Sequence, residues 1–247
     1  MSFKDHFSLK SKEYSLYRPK YPDSLFEYLS TLVNEHELAW DCATGNGQAA
    51  IGLVPFFKSV IATDASSNQL EFAIKDPKIS YKTALAEESG LKSHSVDLLT
   101  VATAIHWLDT DRFYPEVKRI LKPGSIIALW VYDHCRISEE IDKISKDYSE
   151  NVVGEYWPIE NRKAWNFEES VDFPFEKINS PEFMLKVNWS LDEYLKYLYT
   201  WSSTQNYIAK TGNDPIEELQ RKFGNIWKDN NEKKEVIWKL VMKVGRV

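Results

Sequence analysis

The sequence predicts an α/β fold: a mostly parallel sheet covered by helices, finished by antiparallel strands, with a helical, aromatic-rich stretch inserted before the end. Three observations predict it. Strand-like and helix-like patterns alternate from residue 37 to residue 132, and the strands are apolar throughout, as in Leu98-Leu99-Thr100-Val101, which suits strands buried on both faces. The alternation fails after Asp133. Near the C-terminal end Val236, Trp238, Leu240, Met242 and Val244 alternate with other residues, as in a half-buried strand.

The elements follow in order. Residues 37–42 form a short strand ending on Asp41, and residues 48–56 a helix. Residues 60–63 form a second strand running to Asp64. Ser66 caps the next helix, with Gln69 completing a capping-box pattern, and Pro77 lies beyond its expected end near Lys75. Residues 79–83 make a third strand and 96–103 a fourth. Residues 110–121 make a helix with Phe113, Val117 and Ile120 on one stripe, and Pro123-Gly124 turns the chain into a fifth strand, 126–132. Beyond it an acidic helix is expected over 138–148, an irregular aromatic segment over 156–175, a strand over 183–189, helices over 191–200 and 215–227, and a strand over 235–244. On the second of these helices Tyr194, Tyr197 and Trp201 share a face. Three parts result: an N-terminal segment (1–35), an α/β core (36–133), and a second part (134–247) that carries the insertion and the last strands.

Composition narrows the function. Against 37 Asp+Glu stand 31 Lys+Arg, a net charge of −6 in 247 residues; nucleic acid is therefore not an expected partner, and a small molecule is. Two cysteines, Cys42 and Cys135, make neither a disulfide framework nor a zinc cluster, and no metal is expected. The residues MSFKDHFSLKSK carry no apolar stretch of signal-peptide kind. The longest apolar run, residues 126–131, falls far short of the ~20 residues of a membrane span. The expectation is a cytoplasmic monomer or homodimer. Aromatic residues are abundant, with 9 Trp, 13 Tyr and 12 Phe, and seven of the tryptophans lie at or after residue 130.

The most informative segment is Asp41-Cys42-Ala43-Thr44-Gly45-Asn46-Gly47-Gln48. It leaves a strand and opens a helix, and Gly45 and Gly47 let backbone N–H groups approach a ligand closely. Asp64, at the tip of the next strand, is placed to accept from ribose hydroxyls. A nucleoside-bearing cofactor is implied. Gly45-x-Gly47-x-x-Ala50 also satisfies a dinucleotide pattern, so an NAD(P)-dependent oxidoreductase competes, as does a non-catalytic binding protein on the same fold. Asp41 discriminates. An acid beside the loop opposes a pyrophosphate but suits S-adenosylmethionine, which has no phosphate and carries an ammonium and a sulfonium.

The stretch from Ala39 to Ala50 resembles the first motif of class I S-adenosylmethionine-dependent methyltransferases, and more narrowly the trans-aconitate methyltransferase-like group with a methyltransferase type 11 domain. Ala62-Thr63-Asp64-Ala65-Ser66, Ser95 to Ala102 with Ala104, His106, Trp107 and Asp109, Leu121-Lys122-Pro123-Gly124 and Tyr17-Arg18-Pro19-Lys20-Tyr21-Pro22 extend the resemblance over nearly the whole chain. It implies a Rossmann-like, seven-stranded sheet with an antiparallel last strand, an insertion that caps the active site, an N-terminal lid, and S-adenosylmethionine as cofactor with S-adenosylhomocysteine as product. Asp41 would lie near the methionine ammonium, Ala43, Gly45 and Gly47 under the cofactor, Asp64 on the ribose, and Ala65, Ala86 and Glu87 around the adenine. Thr103, Ala104 and His106 would flank the methionine end, with Tyr14 and Tyr21 folding over it. The first glycine of the general motif is Ala43 here; alanine tolerates positive φ poorly, and a negative φ is expected.

For the acceptor, the resemblance favours a small carboxylic acid and formation of a methyl ester. A carboxylate is ionised at pH 7 and needs no general base; His106 is the candidate base or orienting group for another acceptor. Trp107, Trp130, Tyr132, Tyr156 and Trp201 are expected to form apolar walls, and Arg18, Arg136 or Arg162 to meet an acceptor carboxylate.

Overall fold

The computed structural model describes residues 17–132 and 134–247, with Arg162 and Lys163 described by their backbone alone. After helix α1 (Asp23–Thr31), strands and helices alternate as the pattern predicts: β1 (Leu38–Cys42), α2 (Gln48–Leu53), β2 (Ser59–Asp64), α3 (Ser67–Glu71), β3 (Ile79–Thr83), β4 (Val96–Ala102), α4 (Thr110–Ile120) and β5 (Leu121–Tyr132). The second part supplies α5 (Glu139–Asp147), two short helices α6 (Asn161–Trp165) and α7 (Phe167–Ser170), strands β6 (Glu176–Ile178) and β7 (Met184–Trp189), helices α8 (Leu191–Tyr199), α9 (Ser202–Thr211) and α10 (Ile216–Trp227), and the long strand β8 (Lys234–Arg246).

The strands form one sheet in the order β3-β2-β1-β4-β5-β8-β6, with β7 also on β8. β1 to β5 pair in parallel, and β8 runs antiparallel to β5, β6 and β7. β8 has 13 residues: its second half lies between β5 and β6, while Lys234–Lys239 takes β7 along one edge. The sheet therefore has eight strands rather than seven, β6 being the addition. Period-2 alternation sorts the side chains of β5 onto two faces. Ile126, Ala128 and Trp130 join the core under α1 and α2, and Ile127, Leu129 and Val131 the core under α4. Each such buried aliphatic side chain contributes roughly 2 kcal/mol.

Two caps follow the residues closely. Ser66 Oγ accepts from the Gln69 amide at the start of α3, and Ser190 with Glu193 makes a reciprocal capping box at α8. Several elements differ from the sequence reading. The strand β5 begins at Leu121, before Pro123-Gly124, because Leu121 pairs with Val96 and the ladder then slips to Leu98↔Ile126; the Pro-Gly pair, with Gly124 at φ +81°, is an irregularity inside the strand instead of its start. Helices α2 and α3 stop several residues earlier than expected. The short helices α6 and α7 interrupt the aromatic segment that reads as irregular. Helix α9 is absent from the sequence reading: Ser202-Ser203-Thr204-Gln205-Asn206 carries little helix propensity. Contacts hold it, with Thr204 Oγ1 donating to Leu198 O and accepting from Tyr148 Oη at 2.7 Å. Among the described residues no helix is long and apolar enough to cross a membrane, and no group of His, Cys, Asp and Glu could hold a metal ion.

Candidate active site

β1 pairs with both β2 and β4, so the tips of three strands meet, with Asp41 level with Ala62 on one side and Thr100 on the other. Asp41 is fully buried. Thr100 Oγ1 donates to its Oδ1 at 2.8 Å and Thr44 Oγ1 to its Oδ2 at 2.5 Å. Burial pushes its pKa up from 3.8 to about 6; the two hydroxyls pull it back in part, and the nearby Asp64 charge raises it further. The strand tip thus holds a carboxyl answered by hydroxyls, which favours the approach of a cation.

The loop from β1 to α2 reverses within a few residues and uses three left-handed positions: Ala43 at φ +53°, Gly45 at +57° and Gly47 at +83°. Ala43 was expected at negative φ, and the structure corrects this. The Thr44 amide must reach Thr63 O, which it does at 2.9 Å, and the reversal forces the preceding residue left-handed at a cost of about 1–2 kcal/mol for a side chain with Cβ. The two glycines face different surroundings. A Cβ on Gly47 would stand 2.2 Å from Tyr81 Oη, whereas a Cβ on Gly45 would meet nothing within 4 Å, so the space beside Gly45 is open. Next to it the buried side-chain nitrogen of Asn46 has no hydrogen-bond partner among the described residues, a donor the sequence reading passes over.

Asp64 is fixed by the backbone it faces: Oδ2 accepts from the Gly45 amide at 2.8 Å and Oδ1 from the Ser66 amide at 2.9 Å. Ala65 follows it, half-buried, and Ala86 is buried beyond β3. Glu87 accepts from the Asp109 amide at 2.9 Å, which ties it to the start of α4, while Glu88 pairs with Arg112 in water. Beyond β4, Thr103 takes φ +54° and its hydroxyl lies 3.2 Å from Tyr21 Oη. Ala104 and His106 are buried, and the His106 ring packs 4.9 Å from Trp107. Tyr14 lies outside the described residues.

From Thr103 and His106 a cavity of about 360 Å³ opens toward the second part of the chain. Trp107, Tyr132, Trp201 and Arg18 of the expected residues line it, together with His134, Trp157, Trp165 and Tyr197. Arg18 crosses between the two parts: Nη1 donates to Tyr132 Oη at 2.6 Å, Nη2 to Thr200 O at 3.3 Å, and the guanidinium lies 5.3 Å from the Tyr197 ring centroid. Two expected wall residues lie elsewhere. Trp130 lies two residues back on the same face of β5 as Tyr132, fully buried against Tyr21 and Phe26, and of the two only Tyr132, at the end of the strand, reaches the cavity. Tyr156 packs on Tyr207 outside the cavity lining. Arg136 is exposed and bridges Ile237 through its backbone; the Arg162 side chain lies outside those described. Trp157, Trp165 and His134 were not singled out, since only the tertiary fold brings their segments to one cavity.

The open space beside Gly45, the Asp64 carboxylate, the buried acid Asp41 and the donor of Asn46 fit a nucleoside ligand with a cationic tail and no phosphate. Comparison with known proteins agrees. Residues 40–129 match a family model described as a methyltransferase domain. A protein of Dictyostelium discoideum named as a methyltransferase is 31% identical over 239 residues, covering 95% of this chain and 91% of its own. A solved structure from Anaeromyxobacter dehalogenans, described as a type II methyltransferase, is 33% identical, with a TM-score of 0.86 over 93% of this chain and 97% of that one. A Saccharomyces cerevisiae protein named as an S-adenosylmethionine-dependent methyltransferase shares 34% identity over 134 residues, 51% of this chain and 46% of its own length. The dinucleotide reading of the glycine loop gives way accordingly, and the chain belongs to the class I S-adenosylmethionine-dependent methyltransferases.

Proposed function

We propose that the protein methylates a small carboxylic acid, the acceptor carboxylate being held by Arg18. The observation that carries this reading is the position of Arg18 within a cavity that begins at Thr103 and His106. S-adenosylmethionine, when bound, supplies an electrophilic methyl on a sulfonium. The residues of the chain then have to align and exclude water. Asp64 accepts from the ribose hydroxyls while its backbone partners keep it oriented. Asp41 faces the cationic methionine end, and Asn46 adds a donor beside the loop. Ala65 and Ala86 flank the adenine, with Glu87 behind them. Thr103 and Ala104 shape the passage from cofactor to acceptor. Arg18, held by Tyr132 and Thr200 O, positions the carboxylate, and Trp107 and Trp201 form the walls. His106 orients the neighbouring groups without removing a proton, since a carboxylate is already ionised at neutral pH.

The division of labour along the chain belongs to the same proposal. Residues 1–35 act as a lid, supported by Arg18 and Tyr21, which reach the second part and the tip of β4 respectively. Residues 36–133 hold the cofactor, and residues 134–247 cap the acceptor. Two buried free cysteines, Cys42 and Cys135, suit a reducing, cytoplasmic setting.

Release of S-adenosylhomocysteine, measured against paired acids and their amides or alcohols, tests the reading. Turnover is expected with acids alone. Arg18→Met should raise KM for the acid by about 30-fold or more with little change in cofactor affinity, and His106→Ala should lower kcat by less than about tenfold. Turnover of the neutral analogues with Arg18→Met unaffected would overturn it.

A further inference from the structure

The cavity's charge and aromatic content bear on the shape of the acid, an inference that rests on the carboxylate reading above. Among the described side chains that line it, Arg18 is the only lysine or arginine, while Glu168 and Glu169 line it as well. Among those described side chains, one guanidinium beside two exposed carboxylates suits a single acceptor carboxylate better than a compact polycarboxylate.

Aromatic side chains form much of the rest of the wall. Trp157 contacts two of its other rings, 5.3 Å from Trp201 and 5.6 Å, edge to face, from Trp165. Its indole nitrogen donates to Ser149 O at 3.2 Å, which fixes the ring. Trp165 is 50% exposed although it sits on the cavity. An indole left half in water beside a concave site is apolar area that a ligand can cover. Planar ligand surfaces gain most from such walls, through offset-stacked and edge-to-face contacts.

We infer that the acceptor is an amphipathic monoacid: one carboxylate at Arg18, joined to a flat aryl or conjugated body that lies against Trp157, Trp165 and Trp201. Trp165 then acts as a specificity residue that binds the body of the acceptor and takes no part in the chemistry.

Isothermal titration of the S-adenosylhomocysteine-loaded protein with four probes tests this: an aryl-propenoic monoacid, its neutral primary alcohol, a short aliphatic monoacid, and a propane tricarboxylate. The aryl acid should bind at least about tenfold more tightly than the aliphatic acid and the tricarboxylate, and Trp165→Ala should remove about tenfold of that preference while leaving S-adenosylhomocysteine affinity unchanged. Because Trp165 is half exposed, this variant is expected to fold, and unchanged affinity for the product nucleoside verifies that it has. Equal or tighter binding of the tricarboxylate or the aliphatic acid, or an aryl-acid affinity indifferent to Trp165→Ala, overturns the inference. Equal binding of the aryl alcohol and the aryl acid instead overturns the carboxylate reading and leaves the aromatic wall standing.

Discussion

The proposed cofactor end of the cleft and its proposed acceptor end are built from different materials. At the cofactor end, binding groups come from three neighbouring strand tips and the loop between them. They are backbone amides, two carboxylates, small side chains and left-handed turns, all between residues 41 and 104, and parallel pairing fixes their register. At the acceptor end the groups are long or aromatic side chains from segments far apart, Arg18 and Thr200 being 182 positions from one another. The first end leaves little to vary, because a backbone amide cannot be exchanged. The second is an assembly of side chains from separate segments, some of which, Tyr197 and Trp201 among them, also belong to the buried core. The difference implies that changes at one end should move cofactor affinity and changes at the other acceptor selectivity, with little crossover.

The sharpest way to break that separation is Asp64→Ala. It removes an acceptor for two loop amides together with the proposed ribose contact, and charge-assisted bonds contribute about 1.5–3 kcal/mol each. The dissociation constant for S-adenosylmethionine should rise about 100-fold or more. A folded variant with unchanged affinity by calorimetry would contradict the assignment of the whole cofactor end.

A smaller effect is expected from pH. The pKa of Asp41, about 6 in the fold, lies above its ordinary value of 3.8 because burial disfavours the anion. The sign follows directly: the fold is relieved of this burden below pH ~4, loses stability as pH rises toward 6, and above that carries roughly 3 kcal/mol of destabilisation from this group. A bound cation reverses the preference and favours the anion. Cofactor affinity should therefore fall about tenfold between pH 7 and pH 5, and Asp41→Asn should flatten that profile while making the ligand-free protein more stable at pH 8, since the Thr44 and Thr100 hydroxyls can turn to accept from the amide. A profile equally steep in the Asn variant would place the titrating group elsewhere.

The smallest effect concerns Ala43. With φ at +53°, Ala43→Gly should stabilise the fold by about 0.5–1 kcal/mol, a rise of about 1–4 °C in Tm, and leave acceptor KM unchanged. A lower Tm would show that the methyl group makes contacts worth more than the strain.

Legibility in the sequence follows the same division. Five core strands, their acids and the glycine loop could be read from residues because they are local: a strand, a turn and a cap each declare themselves within a few positions. Ser66 and Ser190 announced their helices in this way. The φ of Ala43 could not be read, since it depends on Thr63 across the sheet. Helix α9 was hidden because Tyr148 and the end of α8 stabilise it, against the propensity of its own residues. The cavity wall was legible only as an excess of aromatics. Trp130 and Tyr132 share a face of β5, and that the strand opens on the cavity only at its end cannot be known before the cap is placed.

The topology of β8 carries a consequence for biogenesis. The last strand of the sheet in chain order lies inside it, between β5 and the pair β6 and β7. During synthesis the outer edge of β5 therefore stays uncovered until more than a hundred further residues have left the ribosome. Throughout that interval the apolar run over residues 126–131 is a ready template for another chain. Nascent protein of this design should depend on chaperones late in translation, and lesions in β8 should appear first as insolubility, before any loss of cofactor binding.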